Sequence, residues 1–130
     1  MSSAGKSAEA IKTYRASHRF ARVTARKARY VMDMVRHQPV EHALDSLRFT
    51  NRRAAPMISK VIQSALQNAI QEGGKQAGDL VIVKAQADEG PTWKRWQPRA
   101  RGMAFPIFKR TSHLKIELAD RGDVPARKKG

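Results

Sequence analysis

The apolar positions fall into three helical stripes followed by two strand-like alternations. Ala28, Val31, Met32 and Val35 recur at the i, i+3, i+4, i+7 spacing of one helix face. Thr24, just ahead of them, has the hydroxyl that an N-cap needs, so a first helix is predicted from there to about Val35. Pro39 has the fixed φ that suits a helix start, and Val40, Ala43, Leu44 and Leu47 form the stripe of a short second helix. A longer third helix carries Ile58, Val61, Ile62, Ala65, Leu66 and Ala69 on one face, with Asn51 expected as its cap. Gly73-Gly74 is expected to end it, because glycine enters the left-handed region without a steric penalty.

Past that stop the period shortens to two. Leu80-Val81-Ile82-Val83 is a β-branched run continuing to about Ala87, and Leu114, Ile116 and Leu118 alternate with His113, Lys115 and Glu117. Tyr14 to Val23 has weaker strand character. Between the two strong strands, Gly90, Pro91, Pro98, Gly102 and Pro106 exclude a long helix and a central strand position. Two strands running past the domain edge as an extended hairpin over 88–113 satisfy these constraints, with the bend at Pro98-Arg99-Ala100-Arg101-Gly102. At ~3.3 Å per residue, arms of about a dozen residues would reach roughly 40 Å, and such a ribbon has no core of its own. The predicted fold is α+β: three helices packed on a small antiparallel sheet, with a long basic β-hairpin extension. The expected organisation is a flexible basic N-terminal arm (1–13), one globular domain (14–119) that includes the hairpin, and a flexible basic C-terminal tail (120–130).

Charge sharpens this picture. The 130 residues hold 26 Lys and Arg against 11 Asp and Glu, a formal +15, and self-repulsion of that size calls for a polyanionic partner. Residues 30–89 are balanced, with seven bases and seven acids, whereas 1–29 hold eight bases and one acid, and 90–113 hold six bases and no acid. The cations therefore flank an ordinary folded body. Arg15, Arg19, Arg22, Arg26, Lys27 and Arg29 on one side, and Lys94, Arg95, Arg99, Arg101, Lys109 and Arg110 on the other, are candidates for RNA phosphate contacts. Thr111, Ser112 and His113 add donors suited to phosphate and ribose. Trp93 and Trp96, interleaved with these cations, are candidates for base stacking.

Enzymatic chemistry finds little support. Asp88-Glu89 is the one adjacent carboxylate pair, and neighbours on a strand point to opposite faces. His18, His37, His42 and His113 lack metal-ligand spacing, and there is no cysteine, so disulfides and thiolate metal sites are excluded. No catalytic residue, metal or cofactor is expected. No run of eighteen apolar residues occurs, and the N-terminus is polar, so a soluble cytoplasmic protein with no membrane partner is expected.

Gly90-Pro91-Thr92, Lys94-Arg95, Pro98-Arg99-Ala100-Arg101-Gly102 and Lys109-Arg110-Thr111-Ser112-His113, in that order, resemble the signature of ribosomal large-subunit protein twenty-two. Thr24-Ala25-Arg26-Lys27-Ala28-Arg29 resembles the start of that family's first helix, and Ser64-Ala65 with Asn68-Ala69 the helix packed on its sheet. The similarity spans about 14 to 118. Two places depart from the pattern: His37 stands where the family often has glycine, and Met103 with Phe105-Pro106-Ile107-Phe108 is more apolar than its commonly arginine-rich return arm.

The resemblance implies a structural constituent of the large ribosomal subunit that binds 23S-type rRNA and supports early subunit assembly. It further implies a hairpin whose tip lines the polypeptide exit tunnel. Its partners would be large-subunit rRNA, neighbouring large-subunit proteins and the nascent polypeptide passing the tip, with the chain a monomer in the particle. Without the resemblance, a DNA-architectural protein that bends duplex with a proline-tipped ribbon remains the alternative.

Overall fold

Thr24 does cap the first helix. Its backbone is extended, with φ −70° and ψ 144°, and its hydroxyl accepts from the Lys27 N–H. The structure, a computed structural model, describes residues 12–123; residues 1–11 and 124–130, most of the expected arm and tail, lie outside the described residues. Along the chain come β1 (Thr13–Ala21), α1 (Ala25–Val35), α2 (Val40–Arg48), α3 (Ala54–Gly73), β2 (Leu80–Glu89), β3 (Trp93–Pro98), β4 (Ala104–Lys109) and β5 (Ser112–Asp120).

Three strands form an antiparallel sheet in the order β1-β5-β2, so the last strand is central. Its Leu114, Ile116 and Leu118 are fully buried, as the alternation predicts, and face Ala87, Ala85 and Ile82 of β2. Helix α3 lies over β1 and β5, and α1 lies over β2. Met32, Ile58 and Ile62 fill the space between helices and sheet. Gly74 ends α3 in the left-handed region at φ 61°, and its N–H returns to the Ile70 carbonyl. Just before it, a Cβ on Gly73 would overlap the buried Tyr14 hydroxyl, so helix and strand approach closely there.

The outer edge of β2 is answered by α1 and the turn after it. Arg29 Nε donates to the Ala87 carbonyl at 3.1 Å and Arg36 Nη2 to that of Ala85 at 2.7 Å. His37 N–H donates to Ile82 O at 2.9 Å, and Ile82 N–H returns to Gln38 O at 3.0 Å. These bonds occupy carbonyls that would otherwise template another strand. The turn requires φ 66° at His37, so a histidine occupies a conformation that glycine adopts more readily.

Two sequence expectations change. Asn51 does not cap α3: the helix starts at Ala54, Arg53 already has helical backbone, and no side chain caps it. Instead the Ala55 N–H closes on Arg52 O, and Pro56, with no N–H of its own, fits the first turn. The hairpin also does not continue β2 and β5 unbroken. Strands β3 and β4 form a separate two-stranded sheet, with Trp93 opposite Lys109 and Pro98 opposite Ala104. Gly90 to Thr92 and Arg110-Thr111 interrupt the two arms. Pro91 cannot donate to a ladder, and Thr111 is so close to Gly90 that a Cβ there would lie 2.6 Å from its Oγ1. Each arm of the separate ribbon has six residues, or roughly 20 Å at ~3.3 Å per residue.

Candidate nucleic-acid interface

The hairpin displays its side chains almost entirely to solvent. All of β3 is exposed, as is β4 except the half-buried Ile107. Its apolar return arm carries cations: Lys94 Nζ stands 6.0 Å from the Phe108 ring centroid, the Arg110 guanidinium 5.8 Å from the same ring, and that of Arg99 5.7 Å from Phe105. The bend falls where the sequence places it. Arg101 and Gly102 take φ of 67° and 71°, and Arg99 N–H donates to Met103 O at 2.6 Å.

At the root of the hairpin three segments enclose a cleft of about 580 Å³. The joint between β1 and α1 supplies Arg22 and Thr24, with Lys27 from the first helical turn. The approach to α3 supplies Asn51, Arg52 and Arg53. The ribbon supplies Trp93 and Arg95 from one arm, and Phe108, Lys109 and Arg110 from the other. Seven of the lining residues are cationic and none is acidic. Both α1 and α3 begin at this cleft with no acid in the first turn, so two helix N-termini add positive potential to it.

Two packing contacts set the walls. The Arg22 guanidinium lies 5.6 Å from the Trp93 ring centroid, and that of Arg52 lies 5.7 Å from Tyr30. Behind the root, Phe20 takes φ 60° at the irregularity in β1, and its N–H donates to His113 Nδ1 at 3.1 Å. The two rings meet edge to face.

A family model for ribosomal protein L22p/L17e matches residues 16–119. The chain belongs to that family. L22-family membership makes this a structural, non-enzymatic component of the large ribosomal subunit, an RNA-binding protein of translation with rRNA and ribosomal-protein partners. The matched span contains every residue of the cleft and the hairpin. Among the described residues no group of acids and histidines is arranged to hold a metal, and no helix is long and apolar enough to cross a membrane.

The L22 fold distributes the sequence-predicted residues unevenly. Arg22, Lys27, Trp93, Arg95, Lys109 and Arg110 converge on the cleft. Arg26 lines a smaller concavity beside it, with Glu89 and Thr92. Arg15 pairs with Glu117 at 3.5 Å, and Arg19 lies 5.5 Å from the Phe20 ring, so both sit along β1. Lys94, Trp96, Arg99 and Arg101 are exposed on the ribbon and its bend.

Thr111 and Ser112 stand apart from the exposed cations, although Thr111 reaches the wall of the cleft. Thr111 is 3 % exposed and donates its hydroxyl to Pro91 O at 2.6 Å; Ser112 is fully buried at the start of β5. Both hydroxyls lie inside the root. Arg29 spends its Nε on the sheet edge, a structural contact sequence reading did not anticipate. Arg52 and Arg53 were missed because they sit in the charge-balanced body, and only the tertiary fold brings them to the hairpin root.

Proposed function

We propose that this L22-family chain binds 23S-type large-subunit rRNA through its hairpin and the flanking basic surface, supports early assembly of the subunit, and lines the polypeptide exit tunnel with the hairpin tip. In this reading the bend Pro98-Arg99-Ala100-Arg101-Gly102 faces the passing nascent chain. The globular body faces neighbouring large-subunit proteins, and one copy acts per particle in the cytoplasm.

The observation that carries this reading is the single sign of the hairpin. Residues 90–113 hold six cations and no acid, on a ribbon whose side chains are nearly all exposed. A narrow acid-free ribbon is poorly suited to packing against another protein body, whereas RNA supplies counter-charge on every side. Bases can also stack on Trp96, which is 64 % exposed. Because the ribbon has no core, RNA folding around it would fix both partners together, which suits an early assembly step.

Sedimentation of ribosomes from cells expressing the tagged chain tests the subunit assignment. The protein should travel with the large subunit and stay there through a high-salt wash; recovery only in the free-protein fractions would overturn it. For the tip, a photoreactive side chain replacing Ala100 should crosslink to a stalled nascent chain. Crosslinks to rRNA alone would place the bend away from the tunnel.

A further inference from the structure

The cleft at the hairpin root has the attributes of a receptor rather than of a solvated basic surface. Its seven cations come from three segments far apart in sequence, and the fold gathers them around one concavity with no carboxylate. The four ion pairs among the described residues, Arg15–Glu117, Arg36–Asp33, Lys75–Asp120 and Lys115–Asp88, include none of the seven. Uncompensated like charges concentrated between low-dielectric walls oppose folding unless an anion joins them. Two helix N-termini open at the same place and raise that demand.

The cleft is also built on rigid parts. Ala25 at the start of α1 and Ala54 and Ala55 at the start of α3 are buried, so the segments bearing Lys27, Arg52 and Arg53 are held by the core. The hairpin bend has no such support. A binding surface fixed in advance loses less conformational freedom on association than one that must be ordered.

We propose that this cleft is a preformed seat for a bent stretch of rRNA backbone, and that it, rather than the hairpin tip, is the main attachment of the free protein to RNA. The inference rests on the rRNA-binding reading above and names the part of the body that does the binding. Successive phosphates lie against Arg52 and Arg53, whose guanidinium forks suit their oxygens, and against the Lys27 ammonium. The sugar or base between them lies on the Phe108 side, next to the indole that carries Arg22. A volume of about 580 Å³ suits a nucleotide-sized group. The charge specifies a polyanion, since one phosphate group brings at most about two negative charges. The hairpin then orders around RNA already anchored at its root.

The test compares two double variants of the full chain that remove equal charge: Arg52→Gln/Arg53→Gln in the cleft and Arg99→Gln/Arg101→Gln at the bend. Affinity for a large-subunit rRNA transcript should fall at least about tenfold for the cleft pair, and by only about a third of that factor for the bend pair. A second cleft pair, Arg22→Gln/Lys27→Gln, should reproduce the larger loss, which guards against a folding defect peculiar to one variant. Tripolyphosphate titrated into the free protein separates the seat from the RNA that fills it. Its amide shifts should saturate at Thr24 to Lys27 and Arg52 to Ala55 and leave Arg99 to Met103 unmoved. Equal losses in cleft and bend variants, or shifts spread evenly over all basic segments, would overturn the seat while leaving rRNA binding intact. A wild-type protein that does not bind the transcript at all would overturn both.

Discussion

The Arg22 guanidinium rests 5.6 Å from the centroid of Trp93, joining the end of β1 to the first residue of the hairpin. This contact divides the two tryptophans by role. Trp93 is 37 % exposed with a cation over its ring, whereas Trp96 is 64 % exposed further along the ribbon. Trp93→Phe, which keeps a π face beneath Arg22, should hold the affinity of free protein for rRNA within about 0.5 kcal/mol, and Trp93→Ala should cost about 0.5–1 kcal/mol. Trp96→Ala should instead weaken retention in the assembled particle, seen as release at lower salt, with little effect on the free protein. Equal losses from Trp93→Phe and Trp93→Ala would show that Arg22 does not depend on the ring.

Two backbone positions should respond in opposite directions. Gly73→Ala puts a methyl where the Tyr14 hydroxyl stands, and forcing that core apart should cost about 1–3 kcal/mol despite the better helix propensity of alanine. His37→Gly places glycine at φ 66° on an exposed turn. Relief of left-handed strain, offset by added freedom in the unfolded chain, should leave stability unchanged or raised by up to about 1 kcal/mol. Denaturant melts of the two variants decide the matter. A stabilised Gly73→Ala, or a clearly destabilised His37→Gly, would contradict the packing described.

The local periods account for most of what was legible in the sequence. Each helical stripe predicted for α1, α2 and α3 is buried, with only Leu44 and Leu66 left half-buried at its margin. The three-helix α+β class and the bend at 98–102 follow from the same signals. Ser112 shares the parity of Leu114, Ile116 and Leu118, so its burial was visible in the alternation, but its hydroxyl and basic neighbours suggested a ligand. Asn51 misled as a cap because its type suits the role, whereas Pro56 marks a first turn that begins at Ala54. Arg52 and Arg53 carry no local signal at all. Their meaning depends on a tertiary neighbour forty residues further along the chain, which no periodicity encodes.

The far end of β5 gives a pH dependence. Lys75 Nζ lies 2.8 Å from the Asp120 carboxylate and the Gly122 N–H donates to it at 2.9 Å. The bond from Lys75, and then that from Gly122, favours the charged form and lowers its pKa below the ordinary aspartate value. A folded-state pKa below the unfolded one contributes stability that is fully present above pH ~4 and is lost as pH falls through the lower folded value. The melting-temperature gap between wild type and Asp120→Asn should therefore be largest near neutrality and close as pH falls below the lowered folded value. A gap independent of pH would mean the carboxylate charge contributes nothing there.

Order along the hairpin should depend on its partner. The ribbon has no acid to neutralise its cations, three prolines in residues 90–113 and no face packed on the core. In the free protein, amide exchange should be slow from Val61 to Leu66 and fast from Arg99 to Met103. Within the large subunit both segments should be slow. Tip amides protected in the free protein to the level of α3 would show that the cation–aromatic contacts suffice to hold the ribbon alone.

The central claim is that this chain holds large-subunit rRNA by neutralising its phosphates, and the salt dependence of that binding tests it most directly. The affinity of the full-length protein for an rRNA transcript should be measured from low to physiological salt. With about six to ten phosphates neutralised, log K against log salt should fall with a slope of about −4 to −9. A slope shallower than about −2 would make the cations of the cleft and hairpin bystanders and contradict the account.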